Sequence, residues 1–329
     1  MNIQSTGLFL LNSFIAAGVT LGLYSSSASA QTYPDRVLKV VVPWPAGGTV
    51  DIATRVVTQH LATKLGQAVI VENRPGANGI IGAETVAKSA PDGYTLFIAS
   101  HETHSINPHV YPKLPYDPIG DFVAITPFVK VPFVLTGKVG FSAASAKDAV
   151  GIIQSQPGKL TYGSWGIGSI AQVGMEMIVG EAGLKILHVP FNGGPPAFNA
   201  LMAGQIDFMI MPAGAADPLR KGGKIKIFGV TTANRFSLID DVPTLKEQGY
   251  NVDVANTFGF LAPAKTSPAV VQRLHTEIND VIKRPDVQSA LKAQGTEIFT
   301  LLQQEYSRYL SSELTRWGQV IQRANIKVQ

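Results

Sequence analysis

Short apolar runs alternate with amphipathic segments along the first third of the chain. The run RVLKVVV at 36–42 is β-branched and apolar, which predicts a buried strand. Over 49–65 the apolar positions fall on one face of a helix, with Thr49 as its candidate N-cap. The pattern predicts three further elements, a strand at 68–71, a helix at 80–90 and a strand at 94–99. This β-α-β-α-β order argues for a parallel sheet with helices on both faces.

The alternation breaks in the next part of the chain. Four prolines over 108–118 predict a long irregular connection. Two apolar strands are predicted at 123–129 and 132–136, joined by Lys130 and Val131, and we place a crossing between domains at this joint.

A second run of strands and helices follows the crossing. The pattern predicts strands at 160–163, 186–189, 206–211 and 225–230, and helices at 145–156, 169–182, 195–203 and 215–221. It then predicts a short helix at 241–249, a strand at 257–262, and helices at 267–283, 286–294 and 303–324. Ser267 is a candidate N-cap, because Pro268 suits the first helical position. Two such runs predict an α/β protein of two doubly wound lobes, with the ligand site in the cleft between them.

The first thirty residues have the features of a targeting segment. Residues 1–30 contain no Asp, Glu, Lys or Arg, and an apolar stretch runs from Gly7 to Leu23. The pattern A-x-A at 28–30 precedes Gln31, which predicts a secretory signal peptide cleaved after Ala30. A short membrane anchor is the alternative, but the span is slightly short and lacks a charged flank.

Composition narrows the classes of function. The 329 residues are 45% hydrophobic and 15% charged, which argues against intrinsic disorder. The formal net charge of +4 is spread without a dense basic cluster, so nothing supports nucleic-acid binding. Cysteine is absent, which excludes disulfides, thiolate metal sites and cysteine nucleophiles.

Three glycine-rich segments each join a predicted strand to a predicted helix. They are PAGGTVD at 45–51, YGSWGIGS at 162–169 and FNGGPP at 191–196. Glycines let backbone N–H groups converge, and a helix N-terminus adds partial positive charge, so each segment suits an anion. An ordinary tight turn is the alternative for each. Residues 166–171 also fit the G-x-G-x-x-A dinucleotide pattern, but the next strand ends without an acidic residue.

The sequence supports a metal site or a catalytic nucleophile less well than it supports an anion site. His101, Glu102 and His104, with His109 nearby, could bind a metal, but their spacing is not HExxH and a proline-rich loop is a poor scaffold. No G-x-S-x-G motif is present. We therefore predict no catalytic residue, no metal and no cofactor, and we expect the segment at 100–104 to form a polar wall of the cleft.

Several longer motifs resemble those of Bug-type solute-binding proteins of tripartite tricarboxylate transporters. The matching stretches are YPDRVLKVVVPWPAGGTVDIATR at 33–55, VIVENRPGANGIIGAETVAKSAPDGYTLF at 69–97, INPHVYPKLPYDPIGDFVAIT at 106–126, PGKLTYGS with GIGS at 157–169, HVPFNGGPPAFNALMAGQIDFM at 188–209, DDVPTLKEQGY at 240–250 and FGFLAPAKTSPAVVQRLHTEIN at 258–279. The resemblance runs from about Tyr33 to the C-terminus, and the combination of PGANG, APDGYTL and LPYDP is highly specific.

The resemblance implies a type II periplasmic-binding-protein fold whose two lobes close on a small carboxylate about a hinge. It implies a signal peptide at 1–30, one lobe from 31–130 and 257–329, and the other from 131–256. The implied ligand-binding residues are Ala46, Gly47, Gly48, Thr49, Asp51, Ser100, Thr103, Ser164, Gly168, Ser169, Asn192, Gly193 and Gly194. The implied protein is a periplasmic monomer that performs no chemistry and delivers its ligand to a membrane permease.

This chain departs from the usual family pattern at several positions. His101 and Glu102 stand where small residues are common, and Asn192 replaces a frequent lysine. Together with Trp165 and the Met-Ile-Met segment at 209–211, these changes favour an apolar, dicarboxylic or aromatic acid over a charged amino acid. Two other functions remain open from sequence: a sensor that signals through a membrane partner, and an exported α/β enzyme.

Overall fold

Most predicted strands and helices form where the pattern places them, with shifts of a few residues at their ends. The computed structural model describes residues 33–326. The strands are β1 (Leu38–Val42), β2 (Val69–Asn73), β3 (Thr95–Ala99), β4 (Phe122–Lys138), β5 (Thr161–Ser164), β6 (Leu187–Pro190), β7 (Phe208–Pro212), β8 (Ile225–Val230), β9 (Ala255–Pro263) and β10 (Glu297–Ile298). The α-helices are α1 (Thr49–Leu65), α2 (Ile80–Ala87), α3 (Asn107–Val110), α4 (Ala146–Ser155), α5 (Ile170–Ala182), α6 (Gly194–Met202), α7 (Ala213–Lys221), α8 (Pro268–Ile282), α9 (Pro285–Ala293) and α10 (Gln303–Ala324). Within 33–326, no helix is both long and apolar enough to cross a membrane.

The sheet combines parallel and antiparallel pairs. Strand β1 pairs in parallel with β2 and β3, and β5 pairs in parallel with β6 and β7, as the α/β order predicts. Strand β9 is antiparallel to both β3 and β4. The order along the sheet is β2-β1-β3-β9-β4-β7-β5-β6, with β8 and β10 also paired to β4.

One long strand connects the two halves of this sheet. Residues 122–132 of β4 pair with β9, and residues 133–138 pair with β7 and β8. We predicted two strands here, separated at Lys130 and Val131, and that prediction is wrong. Lys130 pairs with Thr257, so the ladder continues through the predicted break. Register shifts beside Ala124 and Pro127 accommodate a proline that cannot donate to the ladder.

The segment after β3 is helical where we predicted a loop. Residues 102–106 form a π-helical turn that continues directly into α3. Pro108 lies at the start of α3 and has no N–H to continue the backbone ladder. The irregular connection therefore begins at Tyr111, three residues later than predicted.

Two smaller predictions are also wrong. Gly48, not Thr49, is the N-cap of α1. The predicted helix at 241–249 is absent from the structure of that segment, because Thr244 instead pairs with Val230 of β8. The Val230 N–H donates to the Pro243 carbonyl at 3.0 Å, so pairing to the sheet replaces local helical bonding.

The core lies on both faces of the sheet, and residues 36–326 belong to one compact unit. One apolar cluster surrounds Trp317 of α10 and Phe208 of β7, and a second surrounds Phe97 of β3 and Tyr306 of α10. Trp317 is fully buried. Helix α10 packs against the π-helical turn, β4 and α5. This helix therefore contributes side chains to the packing of both halves of the sheet.

Candidate ligand-binding site

The loop between β1 and α1 presents backbone donors at its surface. Gly47 has a φ of +82°, a left-handed conformation that glycine adopts without strain. Gly48 is the N-cap of α1, and no side chain caps this helix. Ala46, Gly47 and Gly48 are exposed, and Thr49 is half-buried. The first N–H groups of a helix lack intrahelical partners, so this end of α1 offers donors to an anion.

Asp51 holds this loop in place from the first turn of α1. Its carboxylate accepts hydrogen bonds from the Gly47 N–H at 2.8 Å, from Asn73 Nδ2 at 2.8 Å and from Arg55 Nε at 3.1 Å. Asn73 Nδ2 also donates to the Trp44 carbonyl at 3.0 Å. Burial acts to raise the pKa of Asp51, but hydrogen bonds from these three donors outweigh it and lower the pKa. The ionised carboxylate therefore holds the loop in place. The Gly47 N–H already donates to this carboxylate and so is not a free donor.

The loop before α5 is bonded largely to itself. The Ser169 hydroxyl donates to the Gly166 carbonyl at 2.6 Å and accepts from the Gln172 N–H at 3.3 Å, which caps α5. Gln172 Oε1 accepts from the Gly168 N–H at 2.8 Å. Ser164, Gly168 and Ser169 are all buried. These predicted ligand-binding groups are thus engaged within their own loop.

Ser164 contacts a histidine that the sequence did not single out. Its Oγ lies 2.7 Å from His188 Nε2 and accepts from the Gly166 N–H at 3.2 Å. The Tyr162 ring stacks on His188 with centroids 4.8 Å apart. Burial lowers the pKa of His188 to about 4, so the imidazole is neutral at neutral pH. The parallel register of β5 and β6 places Tyr162 beside His188, and no local sequence motif predicts this contact.

The third glycine-rich segment lies before α6 and beside the second. Gly193 has a φ of +103° and is the N-cap of α6, which no side chain caps. Asn192 is exposed, and Gly194 is half-buried. The Phe191 N–H donates to the Ser164 carbonyl at 2.9 Å, which ties the two segments together. Helix α6 therefore resembles α1 in beginning at a glycine without a side-chain cap.

Ser100 and Thr103 bond to each other at the start of the π-helical turn. Thr103 Oγ1 accepts from the Ser100 N–H at 3.1 Å, and the Thr103 N–H approaches Ser100 Oγ at 3.4 Å. Both residues are buried. The Tyr116 hydroxyl donates to the Thr103 carbonyl at 2.7 Å. The two hydroxyl groups thus shape this turn, and their contact with a ligand stays a prediction.

The histidines of this turn are enclosed and point to different partners. His101 Nδ1 lies 3.0 Å from the Ala255 carbonyl, and its Nε2 lies 3.1 Å from the Tyr309 hydroxyl. His104 Nδ1 lies 2.9 Å from Thr103 Oγ1. Burial lowers the pKa of both histidines to about 3. Across residues 33–326, no group of three His, Cys, Asp or Glu side chains could hold a metal ion.

Glu102 carries a carboxyl group that is almost completely buried, with 1% of the residue exposed. Its Oε2 accepts from Asn256 Nδ2 at 2.7 Å, and Asn256 Oδ1 accepts from the His101 N–H at 3.1 Å. Burial raises the pKa of Glu102. Hydrogen bonds from its own N–H, from Asn256, from the Ser100 hydroxyl and from the Ile170 backbone oppose that rise without cancelling it. Glu102 departs from the usual family pattern, but we did not predict its hydrogen-bond partners from the sequence.

Asn78 joins the first half of the sheet to the second. It belongs to the PGANG motif and has a φ of +53°. Its Nδ2 donates to the Gly168 carbonyl at 2.9 Å and to Asn107 Oδ1 at 2.8 Å. Asn107 Nδ2 donates in return to the Asn78 carbonyl at 3.0 Å. We did not predict Asn78 as a site residue, although an asparagine directly before a glycine was a usable signal for a left-handed turn.

The loops of the first half of the sheet lie close together around Gly79, the residue after Asn78. A Cβ atom on Gly79 would lie 2.6 Å from Thr103 Cγ2 and 3.4 Å from Pro43 Cβ. A Cβ atom on Gly168 would lie 2.9 Å from Val110 Cγ1. These approaches bring the β1–α1 loop, the PGANG motif, the π-helical turn and the loop before α5 into one region of the molecule.

Comparison with known proteins places this geometry in a family. The family model described as the tripartite tricarboxylate transporter family receptor, TctC, matches residues 53–326. Among solved structures, Rpa4515 of R. palustris with adipate is 30% identical, with a TM-score of 0.84 over 90% of this chain and 100% of that chain. The periplasmic binding protein BugD is 28% identical, with a TM-score of 0.80 over 90% of this chain and 100% of its own. MatC of Rhodopseudomonas palustris with malate is 29% identical, with a TM-score of 0.78 over 88% of this chain and 100% of MatC.

These similarities confirm the α/β periplasmic-binding-protein fold of two doubly wound lobes with a hinge. The predicted signal peptide at 1–30 lies outside the described residues. Because the family model spans most of the chain and the neighbours match over nearly all of their length, this chain belongs to the TctC family of periplasmic solute-binding proteins of the Bug type.

Proposed function

We propose that this protein captures a small carboxylate in the cleft between its two lobes and delivers it to a membrane permease of the tripartite tricarboxylate type. The neighbours solved with adipate and malate support a carboxylate ligand. The proposed lobes are 31–130 with 257–329, and 131–256. The change of partner strands along β4, after residue 132, supports this division.

The uncapped starts of α1 and α6 carry the proposal. Helices α4, α5 and α8 each begin with a serine hydroxyl that accepts a hydrogen bond from the first turn. Helices α1 and α6 begin at Gly48 and Gly193 with no side-chain cap. A ligand carboxylate would supply the missing acceptors and meet the positive end of each helix dipole.

The predicted site residues then divide by role. We propose that the ligand bonds to the backbone of two exposed or half-buried segments, Ala46, Gly48 and Thr49 in one lobe and Asn192, Gly193 and Gly194 in the other. The remaining predicted residues make other hydrogen bonds: Gly47 bonds to Asp51 beside the first segment, the Ser164 carbonyl accepts from Phe191 beside the second, and the other four bond within their own turns. These remaining residues are Gly47, Asp51, Ser100, Thr103, Ser164, Gly168 and Ser169.

We further propose that binding proceeds without chemistry, in the periplasm, after removal of residues 1–30. TctC is a receptor family, which supports capture over turnover. A dicarboxylate or aromatic carboxylate is the proposed ligand class, and a monomer is the proposed state. Mass spectrometry of the protein purified without refolding would identify a bound acid, and uptake into vesicles holding a candidate permease would test delivery.

Substitution of Gly48 by leucine tests the site. A Cβ atom there would meet only the Pro45 carbonyl, at 3.6 Å, and φ is −77°, so the backbone accepts a side chain without strain. The leucine would cover the first N–H groups of α1. We expect circular dichroism to stay unchanged while the rise in Tm caused by the acid is lost. A ligand at 100 times its Kd contributes about 2.7 kcal/mol, so the loss is measurable.

Gly151→Leu is the matched control. Gly151 is exposed on α4, and no atom lies within 4 Å of a Cβ placed there. The control should retain the full ligand-induced rise in Tm. If Gly48→Leu also retains it, the carboxylate does not bind at α1 and the proposed site is misplaced.

A further inference from the structure

A hydrogen bond between side chains links the second glycine-rich segment to the strand that leads into the third. His188 lies on β6, the last strand in the order of the sheet, and its Nε2 is 2.7 Å from Oγ of Ser164 at the end of β5. The Tyr162 ring, which the parallel register places opposite, stacks on the imidazole with an interplanar angle of 20°. His188 is half-buried and Ser164 is fully buried, so this contact lies at the edge of the core.

The distances around Ser164 indicate which atom receives its hydroxyl proton. The Gly166 N–H donates to Ser164 Oγ at 3.2 Å. Two acceptors lie within reach of the proton, His188 Nε2 at 2.7 Å and the Gly166 carbonyl at 3.1 Å. That carbonyl already accepts from the Ser169 hydroxyl at 2.6 Å and from the Ser169 N–H at 3.1 Å. Since a neutral imidazole has one accepting nitrogen, the Ser164 hydroxyl donates to His188.

The same serine also holds β6 through its backbone. The Phe191 N–H donates to the Ser164 carbonyl at 2.9 Å, one residue past the end of β6. Asn192 beyond this bond is exposed, and Gly193 has a φ of +103° and begins α6 without a side-chain cap. Ser164 thus attaches β6 at two points, its hydroxyl and its carbonyl, directly before the segment proposed to bind the ligand.

We propose that His188 is a positioning residue for the ligand: its hydrogen bond to Ser164 holds the end of β6, and thereby the uncapped start of α6, in the arrangement that receives a carboxylate. This inference rests on the proposed capture of a carboxylate at α1 and α6. A segment that is already ordered loses less conformational freedom on binding. The bond therefore raises affinity without any contact between His188 and the ligand.

Two amide variants of different length test this role. The amide of glutamine extends about as far as Nε2 of histidine, whereas the amide of asparagine ends near Nδ1 and falls short of Ser164 Oγ. Titration calorimetry with malate, adipate, benzoate and terephthalate first identifies a probe that wild-type protein binds. We expect His188→Gln to bind that probe with a Kd close to that of wild type. We expect His188→Asn to bind about fivefold more weakly, because one hydrogen bond is lost.

A double-variant cycle tests whether His188 acts through Ser164. Ser164→Ala removes the hydroxyl and should weaken binding about as much as His188→Asn does. The double variant should bind no more weakly than either single variant, because both changes remove the same hydrogen bond. Additive losses would show that the two residues affect the ligand independently, and they would overturn the proposal.

Tyr162→Phe is the matched control for a general loss of stability in this part of the fold. The phenylalanine ring can still stack on His188, but the hydroxyl that donates to Glu176 Oε1 is lost. The Tm without ligand should fall, since the Glu176 carboxyl group loses a partner. The Kd of the probe should stay that of wild type, because the bond between His188 and Ser164 remains.

The outcomes separate this proposal from the proposed function. An unchanged Kd in both His188→Asn and Ser164→Ala overturns the role of His188, as do equal losses of affinity in His188→Gln and His188→Asn. A loss of affinity in Tyr162→Phe equal to that in His188→Asn would show a structural role alone. Each of these results leaves carboxylate capture standing. Absence of binding of all four probes by wild-type protein contradicts the proposed function, and the role of His188 fails with it.

Discussion

Asp51 shows at the residue scale how a single acidic side chain acquires its role. An acidic residue in a first helical turn is ordinary, and its usual contribution is a modest interaction with the helix dipole. Here the carboxylate also accepts hydrogen bonds from Gly47, Asn73 and Arg55, three groups separated along the chain. The sequence predicts Asp51 as a ligand-binding residue, and its partners in the structure favour a role in holding the loop proposed to bind the ligand.

Replacing Asp51 by asparagine should destabilise the protein and weaken ligand binding. The amide cannot accept from all of these donors, so we expect a loss of about 1–3 kcal/mol in the free energy of unfolding at pH 7. The pKa of Asp51 is lowered in the folded protein, so its contribution is present above its usual value of 3.8 and is lost as the pH falls below it. Urea unfolding of wild type and variant at pH 7 and at pH 3 measures both effects.

Asp286→Asn is the control for that experiment. Asp286 is also an acid in a first helical turn and is paired with an arginine, but it is exposed. Its replacement should leave stability at pH 7 almost unchanged, because exposed ion pairs contribute little. Equal losses for the two variants would show that Asp51 acts only as a helix-terminal charge.

At the scale of elements, connecting turns add side-chain contacts to the link that β4 forms between the two halves of the sheet. The PGANG turn reaches the loop before α5 through Asn78, and the π-helical turn reaches β9 through Glu102. Both turns are short, and these side-chain contacts add to their own backbone hydrogen bonds, such as Gly79 N–H to the Gly76 carbonyl and His104 N–H to the Ser100 carbonyl. A change in the angle between the lobes would therefore act on the Asn78 contact with Gly168.

Asn78→Gly should weaken the contact between the lobes. Glycine keeps the left-handed backbone at this position but removes the amide that donates to the Gly168 carbonyl. We expect stability to fall by about 1 kcal/mol and the radius of gyration of ligand-free protein, measured by small-angle X-ray scattering, to increase. Ala77→Gly is the control, since Ala77 also has a positive φ but this change removes no hydrogen-bonding side chain. An identical scattering profile for the two variants would contradict a role for the Asn78 side chain.

At the scale of the whole molecule, shared elements couple the two lobes. Strand β4 pairs with β9 at one end and with β7 and β8 at the other, and α10 packs against α5 as well as the π-helical turn. Trp317 of α10 is fully buried, and its Nε1 donates to Glu313 Oε2 at 3.0 Å. A lobe that unfolded alone would have to expose the surface of these shared elements.

We therefore expect the protein to unfold in one cooperative transition. Hydrogen exchange of peptides covering β1 and β5, followed by mass spectrometry in urea, should show both strands losing protection at the same concentration. Trp317→Ala should lower that concentration for both peptides, since removing a buried aromatic side chain costs about 3–5 kcal/mol. Trp165→Ala, at a half-buried position, is the control and should have a smaller effect. Loss of protection in one strand well before the other would contradict this coupling.

The sequence by itself determined much of the local structure and the family. Periodicity located helices such as α1 and α8, where Gly66 and Ser267 mark a C-terminus and an N-terminus, because these signals act within one turn of the chain. The glycine-rich segments were likewise visible, since a tight strand-to-helix turn requires particular residues. Motifs along the chain indicated the family, which the comparisons confirm.

Tertiary structure alone decided which of these groups meet. The continuity of β4 through Lys130, the pairing of Thr244 with Val230, and the contacts of Asn78 with Gly168 join residues that are distant or ambiguous in sequence. The buried setting of Glu102 was also invisible, because the pattern at 100–104 suited a polar loop as well as a packed turn. Local propensity acts over a few residues, whereas burial and hydrogen bonding between distant segments depend on how the sheet brings them together.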